Sequence, residues 1–167
     1  QALQRVFHLL VENALSQPQV FVHRDFHSRN LMLTGKANPG IIDYQDAVCG
    51  PISYDLVSLL KDCYIKWPQQ KIDACLDRYI DLLLSAGSDW VKDKGQFKRW
   101  FDLMGVQRHL KASGIFARLS HRDGKPGFLK DIPRTLAYIS ELKSDYPELE
   151  PLCQLIDDDI MPCLDDA

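Results

Sequence analysis

Apolar side chains recur at three- and four-residue spacing through Leu3, Val6, Phe7, Leu10, Val11 and Ala14, which predicts an amphipathic helix closed near Ser16-Gln17-Pro18. The period then changes. Val20-Phe21-Val22 reads as a short strand, and a polar loop follows it from His23 to Asn30. Leu31-Met32-Leu33 and Gly40-Ile41-Ile42 flank Thr34-Gly35-Lys36-Ala37-Asn38-Pro39, predicting a β-hairpin whose ends carry Asn30 and Asp43 to one side. From Ser53 onward the spacing is helical. Leu56, Leu59, Leu60, Cys63 and Tyr64 form one stripe, stopped by Trp67-Pro68. Ile72, Cys75, Leu76, Tyr79, Ile80, Leu83 and Leu84 form a second, stopped at Ala86-Gly87. Phe97, Trp100, Phe101, Met104, Leu110 and Ile115 mark a longer helix with weak points at Gly105 and Gly114. A loop is expected from Ser120 to Gly127, a further helix opening at Ile132-Pro133, and a last one over Glu148 to Leu164 with an acidic end.

These elements predict an α+β, mainly helical chain in which a small strand-rich part precedes a helical bundle. No boundary is visible, so residues 1–167 are expected to form a single domain. The formal net charge of −3 argues against a nucleic-acid partner. No apolar run approaches the roughly 18–20 residues that span a bilayer, and the opening residues lack a signal-peptide layout. A cytoplasmic location without a membrane partner is therefore expected. The chain starts inside a helix and without Met, so the expectation is a piece of something longer. Cys49, Cys63, Cys75, Cys153 and Cys163 are odd in number and lack metal spacing, which predicts buried, reduced thiols. Asp157-Asp158-Asp159 reads as a solvated face.

The polar loop contains His23-Arg24-Asp25-Phe26-His27-Ser28-Arg29-Asn30, a His-x-Asp-x-x-x-x-Asn pattern between apolar segments, and Ile42-Asp43-Tyr44 follows. This resembles the catalytic loop of kinases. Phosphoryl transfer calls for a carboxylate to orient and deprotonate a hydroxyl, the role open to Asp25. It also calls for hard oxygen ligands for Mg²⁺, which Asn30 and Asp43 offer. The alternative is a polar turn in which Asp25 and Asn30 only cap local backbone. His23, where the strand enters the loop, is expected to pack and hydrogen-bond rather than react.

The wider resemblance is to the aminoglycoside phosphotransferase/choline kinase branch of the protein-kinase-like fold. Its members typically read His-Gly-Asp-x-His-x-x-Asn, then Ile-Asp-Trp/Phe/Tyr, then Gly-Asp-Pro-x-x-Asp-Leu-Ala; this chain adds Gly50-Pro51-Ile52-Ser53-Tyr54-Asp55-Leu56-Val57. Arg24 replaces the usual glycine. His27 stands where protein kinases place a lysine, Tyr44-Gln45 replaces Phe-Gly, and no Ala-Pro-Glu follows, so a small-molecule kinase is favoured over a protein kinase. The resemblance implies ATP and Mg²⁺, with Asp25 as base, His27 near the γ-phosphate or supporting the loop, and Asn30 and Asp43 on metal. It further implies that Asp55 accepts backbone N–H bonds from the catalytic loop, alongside its plain reading as a helix cap.

A narrower resemblance covers more of the chain. The same loop, Ile42-Asp43-Tyr44-Gln45-Asp46-Ala47 and Gln107-Arg108-His109-Leu110-Lys111-Ala112-Ser113-Gly114-Ile115-Phe116-Ala117-Arg118-Leu119 resemble bacterial sugar kinases of cell-wall recycling. These phosphorylate the anomeric hydroxyl of N-acetylmuramic acid and N-acetylglucosamine. An amino-sugar substrate is implied, read by Gln45 and Asp46 and by Arg108, His109 and Lys111; for the basic cluster a solvated helix face is the competing reading. An aminoglycoside phosphotransferase and a non-catalytic binding lobe are the alternatives. No Gly-rich phosphate loop or strand lysine precedes the motif, so the chain is expected to be a C-terminal lobe without its nucleotide-clamping partner. Such a lobe is expected to be inactive alone and to form a homo-dimer through apolar surface left uncovered.

Overall fold

A computed structural model describes residues 1–87 and 89–165. The chain is mainly helical and separates into two compact units, Asn13–Met104 and Gln1–Glu12 with Gly105–Ala167. The elements run α1 (Ala2–Leu15), β1 (Gln19–Val22), β2 (Leu31–Met32), β3 (Gly40–Ile41), β4 (Val48–Pro51), α2 (Tyr54–Leu60), α3 (Gln69–Ser85), α4 (Lys94–His121), α5 (Ile132–Ser140), α6 (Glu150–Gln154) and α7 (Met161–Asp165).

In the Asn13–Met104 unit β1 pairs antiparallel with β4, setting Val22 opposite Val48 and Gln19 opposite Pro51. Strands β2 and β3 pair antiparallel with Leu31 opposite Ile41. Strand β4 is absent from the sequence-based expectation because Val48-Cys49-Gly50-Pro51 lacks alternation; its glycine lies against β1, where an added Cβ would sit 3.2 Å from Val22 Cγ2. The helices supply the core: Val57 and Leu60 of α2, Ile72, Leu76 and Ile80 of α3, and Phe97, Trp100, Phe101 and Met104 of α4 are buried together. Two buried polar pairs cross this core. Ser53 Oγ donates to Gln17 Oε1 at 2.7 Å, and Asn13 Nδ2 donates to the Trp100 carbonyl at 3.3 Å.

In the other unit Val106, Phe116, Leu136, Ile139, Leu149, Leu152 and Ile156 are buried. Proline lies in the first turn of α5, where a missing N–H costs nothing.

Several expectations are corrected. The stripe through Tyr64 is not one helix: α2 stops at Leu60, because Lys61 leaves helical geometry and the Asp62 side chain caps the following turn through the Tyr64 N–H. Helix α4 runs unbroken through Gly105 and Gly114 and on to His121, so the loop expected from Ser120 starts later, and Pro126–Asp131 forms a 3-10 turn. The last helix is a succession of a 3-10 turn, α6, a π-helical Leu155–Ile160 and α7. On α1, Val6 and Leu10 are buried while Phe7 and Val11 are exposed. The cysteines are free, yet only Cys153 is buried, with Cys49 and Cys163 on the surface. Burial pushes the Cys153 thiol up, and the neighbouring acidic groups Asp157 and Glu150 add to it. Asp157 is exposed and accepts from Ser140 Oγ at 2.7 Å. No helix among the described residues is long and apolar enough to cross a membrane.

Candidate active site

Strand β1 delivers the chain to His23, and the backbone there is held by one carboxylate. His23 N–H donates to Asp55 Oδ2 at 2.6 Å and Arg24 N–H to Asp55 Oδ1 at 3.0 Å. Asp55 lies in the first turn of α2, where the helix dipole favours a negative charge. Burial, and then the Asp55 charge, pushes the Tyr79 phenol upward. The His23 ring is buried and its Nε2 pairs with the Ile42 carbonyl at 3.0 Å, which makes Nε2 the protonated nitrogen. That bond ties the start of the loop to the residue before Asp43.

Beyond Asp25 the loop folds back on itself. His27 N–H donates to the Asp25 carbonyl at 3.0 Å, and Asn30 N–H to the His27 carbonyl at 3.0 Å. The Asn30 side chain joins the three candidate groups: its Nδ2 donates to the Asp25 carbonyl at 2.9 Å and to Asp43 Oδ2 at 3.3 Å. Gln45 Nε2 donates to Asp43 Oδ1 at 2.5 Å, and Arg24 Nη1 to the Asp46 carbonyl at 3.3 Å. Asp43, Gln45 and Asp46 are exposed, so this surface is open to a ligand.

The donor set fits Mg²⁺. Both Asn30 contacts use Nδ2, which leaves Oδ1 for a metal, and the exposed Asp43 carboxylate supplies a hard anionic oxygen. Mg²⁺ characteristically takes one or two such protein ligands and completes its shell with phosphate and water.

Two backbone positions here have positive φ, Arg24 at 76° and Asp43 at 66°. Aspartate tolerates this region, whereas arginine pays a steric penalty of about 1–2 kcal/mol for its Cβ. An Arg24→Gly replacement keeps the N–H that Asp55 grips and removes the strain. It should leave unfolding stability equal or raise it by about 1 kcal/mol, while Arg24→Ala should lower it. Chemical denaturation of both variants tests this, and a clear loss in Arg24→Gly would refute it.

The remaining candidates lie in the other unit. Arg108 is half-buried and Lys111 exposed on α4. His109 is 1% exposed and stacks on Tyr138 with ring centroids 4.7 Å apart.

Residues 1–95 match the family model described as "Phosphotransferase enzyme family". The chain belongs to that family. The matched span contains the His23–Asn30 loop, Asp43 and Asp55. Among curated relatives, the chain is 50% identical to the N-acetylmuramate/N-acetylglucosamine kinase of Pseudomonas putida over 153 residues, which is 92% of the chain and 45% of the relative. It is 48% identical to proteins of the same name from Pseudomonas aeruginosa and Neisseria meningitidis, covering 92% and 93% of the chain and 45% and 46% of those relatives. The chain thus spans less than half the length of these phosphotransferases.

Sequence reasoning missed Asp62 and Tyr64. Asp62 Oδ2 accepts the Ser28 N–H at 3.0 Å, while the Tyr64 ring lies edge-on to His27 and under the Arg29 guanidinium. The available signal was a second aspartate seven residues after Asp55.

Proposed function

We propose that this chain is the catalytic lobe of a protein-kinase-like sugar kinase, which moves the γ-phosphate of ATP onto the anomeric hydroxyl of N-acetylmuramate or N-acetylglucosamine. The observation that carries the reading is the Asn30 side chain bonded at once to the Asp25 backbone and the Asp43 carboxylate. The family match and the names of the relatives support the same chemistry.

In this reading the Asp25 carboxylate orients the sugar hydroxyl and accepts its proton as the oxygen attacks phosphorus. The bond from phosphorus to the bridging oxygen breaks, and ADP leaves. Mg²⁺, held by Asn30 Oδ1 and Asp43, would neutralise charge on the phosphates. His23 and Asp55 fix the backbone that aims Asp25, and His27 either meets the γ-phosphate or supports the loop. Gln45 and Asp46, exposed beside Asp43, read sugar hydroxyls.

The test is a full-length protein supplied with ATP, Mg²⁺ and a panel of amino sugars, aminoglycosides and choline. Phosphate appearing on the anomeric oxygen of the amino sugars is the expected result. Transfer to aminoglycosides alone, or none at all, would replace the reading by one of its alternatives. Residues 1–167 contain no Gly-rich phosphate loop ahead of His23, and Leu15, Phe21 and Leu33 are exposed apolar side chains. By themselves these residues should turn over little sugar and should self-associate, which sedimentation and a coupled ADP assay would check.

A further inference from the structure

We propose that Asp62 is a positioning residue for phosphoryl transfer, fixing the side of the catalytic loop that Asp55 does not reach; this rests on the kinase reading above. Asp62 stands two residues beyond α2 and is 2% exposed. Both of its oxygens are taken by backbone donors, Oδ2 by Ser28 N–H at 3.0 Å and Oδ1 by Tyr64 N–H at 2.8 Å. Asp55, in the first turn of that helix, takes the N–H groups of His23 and Arg24. A carboxylate in the first turn of α2 and another just past its end therefore grip the loop before and after Asp25, through charge-assisted hydrogen bonds.

The downstream grip has a second part. The bond to Tyr64 N–H sets the turn that presents the Tyr64 ring, which meets His27 edge-on at 5.4 Å and carries the Arg29 guanidinium 3.5 Å above its face. Asp62 thus governs Ser28 directly and its two neighbours through one ring. Asn30 follows at once, its N–H bonded to the His27 carbonyl at 3.0 Å. A displacement at Ser28 passes to the Asn30 amide, and from there to its bonds with Asp25 and Asp43. Asp62 acts through the loop, with its carboxylate fully engaged by backbone.

The experiment uses the full-length protein. Asp62→Asn keeps the volume but turns an amide donor toward one of the two N–H donors. It should lower kcat between about 10- and 100-fold, with sugar KM within about twofold and a higher Mg²⁺ concentration at half-maximal rate. Ser28→Pro deletes the loop's own donor. Ser28 opens a 3-10 turn and His27 before it is extended at φ −132°, ψ 172°, a setting that accepts proline. If both variants act on the one hydrogen bond, the double variant loses no more than the worse single one. A buried-core control, Leu76→Ala, should lower Tm without moving the Mg²⁺ dependence.

Multiplying losses in the double variant, or Asp62→Asn kcat within about twofold of the parent, would overturn the proposal. Should Asp62→Asn fail to fold, Ser28→Pro alone decides by the same kcat and Mg²⁺ readouts. Should the parent phosphorylate nothing, the kinase reading fails separately, and amide hydrogen exchange decides Asp62. Exchange at Ser28 to Asn30 should then quicken at least about tenfold in Asp62→Asn, and unchanged exchange sinks the idea.

Discussion

Asp25→Asn in the full-length protein is expected to lower kcat about 10²- to 10⁴-fold, the range a positioned general base contributes, while KM for sugar and ATP changes little. The structure makes this substitution unusually clean. The bonds that shape the loop at this residue, from His27 N–H and Asn30 Nδ2, both end on the Asp25 backbone carbonyl and survive the change. Asparagine also fills nearly the same volume, so unfolding stability should stay within about 1 kcal/mol of the parent. A rate loss without a stability loss would then report lost proton transfer and not a collapsed loop. Steady-state kinetics beside a denaturation curve gives both numbers. A kcat within tenfold of the parent would remove Asp25 as the base.

The largest effect on stability is expected at Asp102. Its carboxylate accepts from Lys61 Nζ at 2.8 Å, and the two side chains are only 5% and 6% exposed; Lys98, about half exposed, adds a contact at 2.5 Å. Removing Asp102 as Ala would leave the Lys61 ammonium buried beside the Phe101 ring, 4.8 Å away, without its carboxylate. The expected cost is about 3–5 kcal/mol. Lys98→Ala should cost about 1 kcal/mol or less, because water already solvates that partner. A paired Lys61→Met, Asp102→Leu replacement should recover much of the loss, since two apolar side chains avoid the desolvation that the ions endure. Urea unfolding of the three variants orders them, and an Asp102→Ala loss near that of Lys98→Ala would refute the argument.

The same pair predicts a pH dependence. Burial opposes ionisation of Asp102, but the Lys61 and Lys98 ammonium groups outweigh it and hold the carboxyl below its usual value. A carboxylate with a depressed native pKa stabilises the fold fully above its unfolded pKa, about 3.9, and loses that contribution as pH falls toward the native value. Unfolding stability of the parent should therefore drop below about pH 4 by more than that of the Met/Leu pair. Lys61 immediately precedes Asp62, so the ion pair also anchors the segment that holds Ser28.

Much of the chain was legible before any coordinates. Helix α5 begins where Pro133 says it should, because proline fixes φ and dispenses with a donor that a first turn leaves unpaired anyway, and Pro68 closes the segment ahead of α3 as its spacing predicts. The pattern of Asp25, Asn30 and Asp43 between apolar segments pointed to the phosphotransferase family that residues 1–95 match. Less legible were the elements held by distant partners. Strand β4 exists through its pairing with β1, and the aspartate just past α2 takes an amide at 28, thirty-four residues away.

The order of side chains alone therefore specified the motif of a phosphotransferase family, and the periodicity of most of the chain's helices, because both are local properties of a short window. Which carboxylates grip the loop, which histidine nitrogen is protonated, and which apolar stripe faces outward were settled by long-range folding. Those outcomes depend on hydrogen bonds and burial between segments far apart in the chain, and no window of sequence contains both partners.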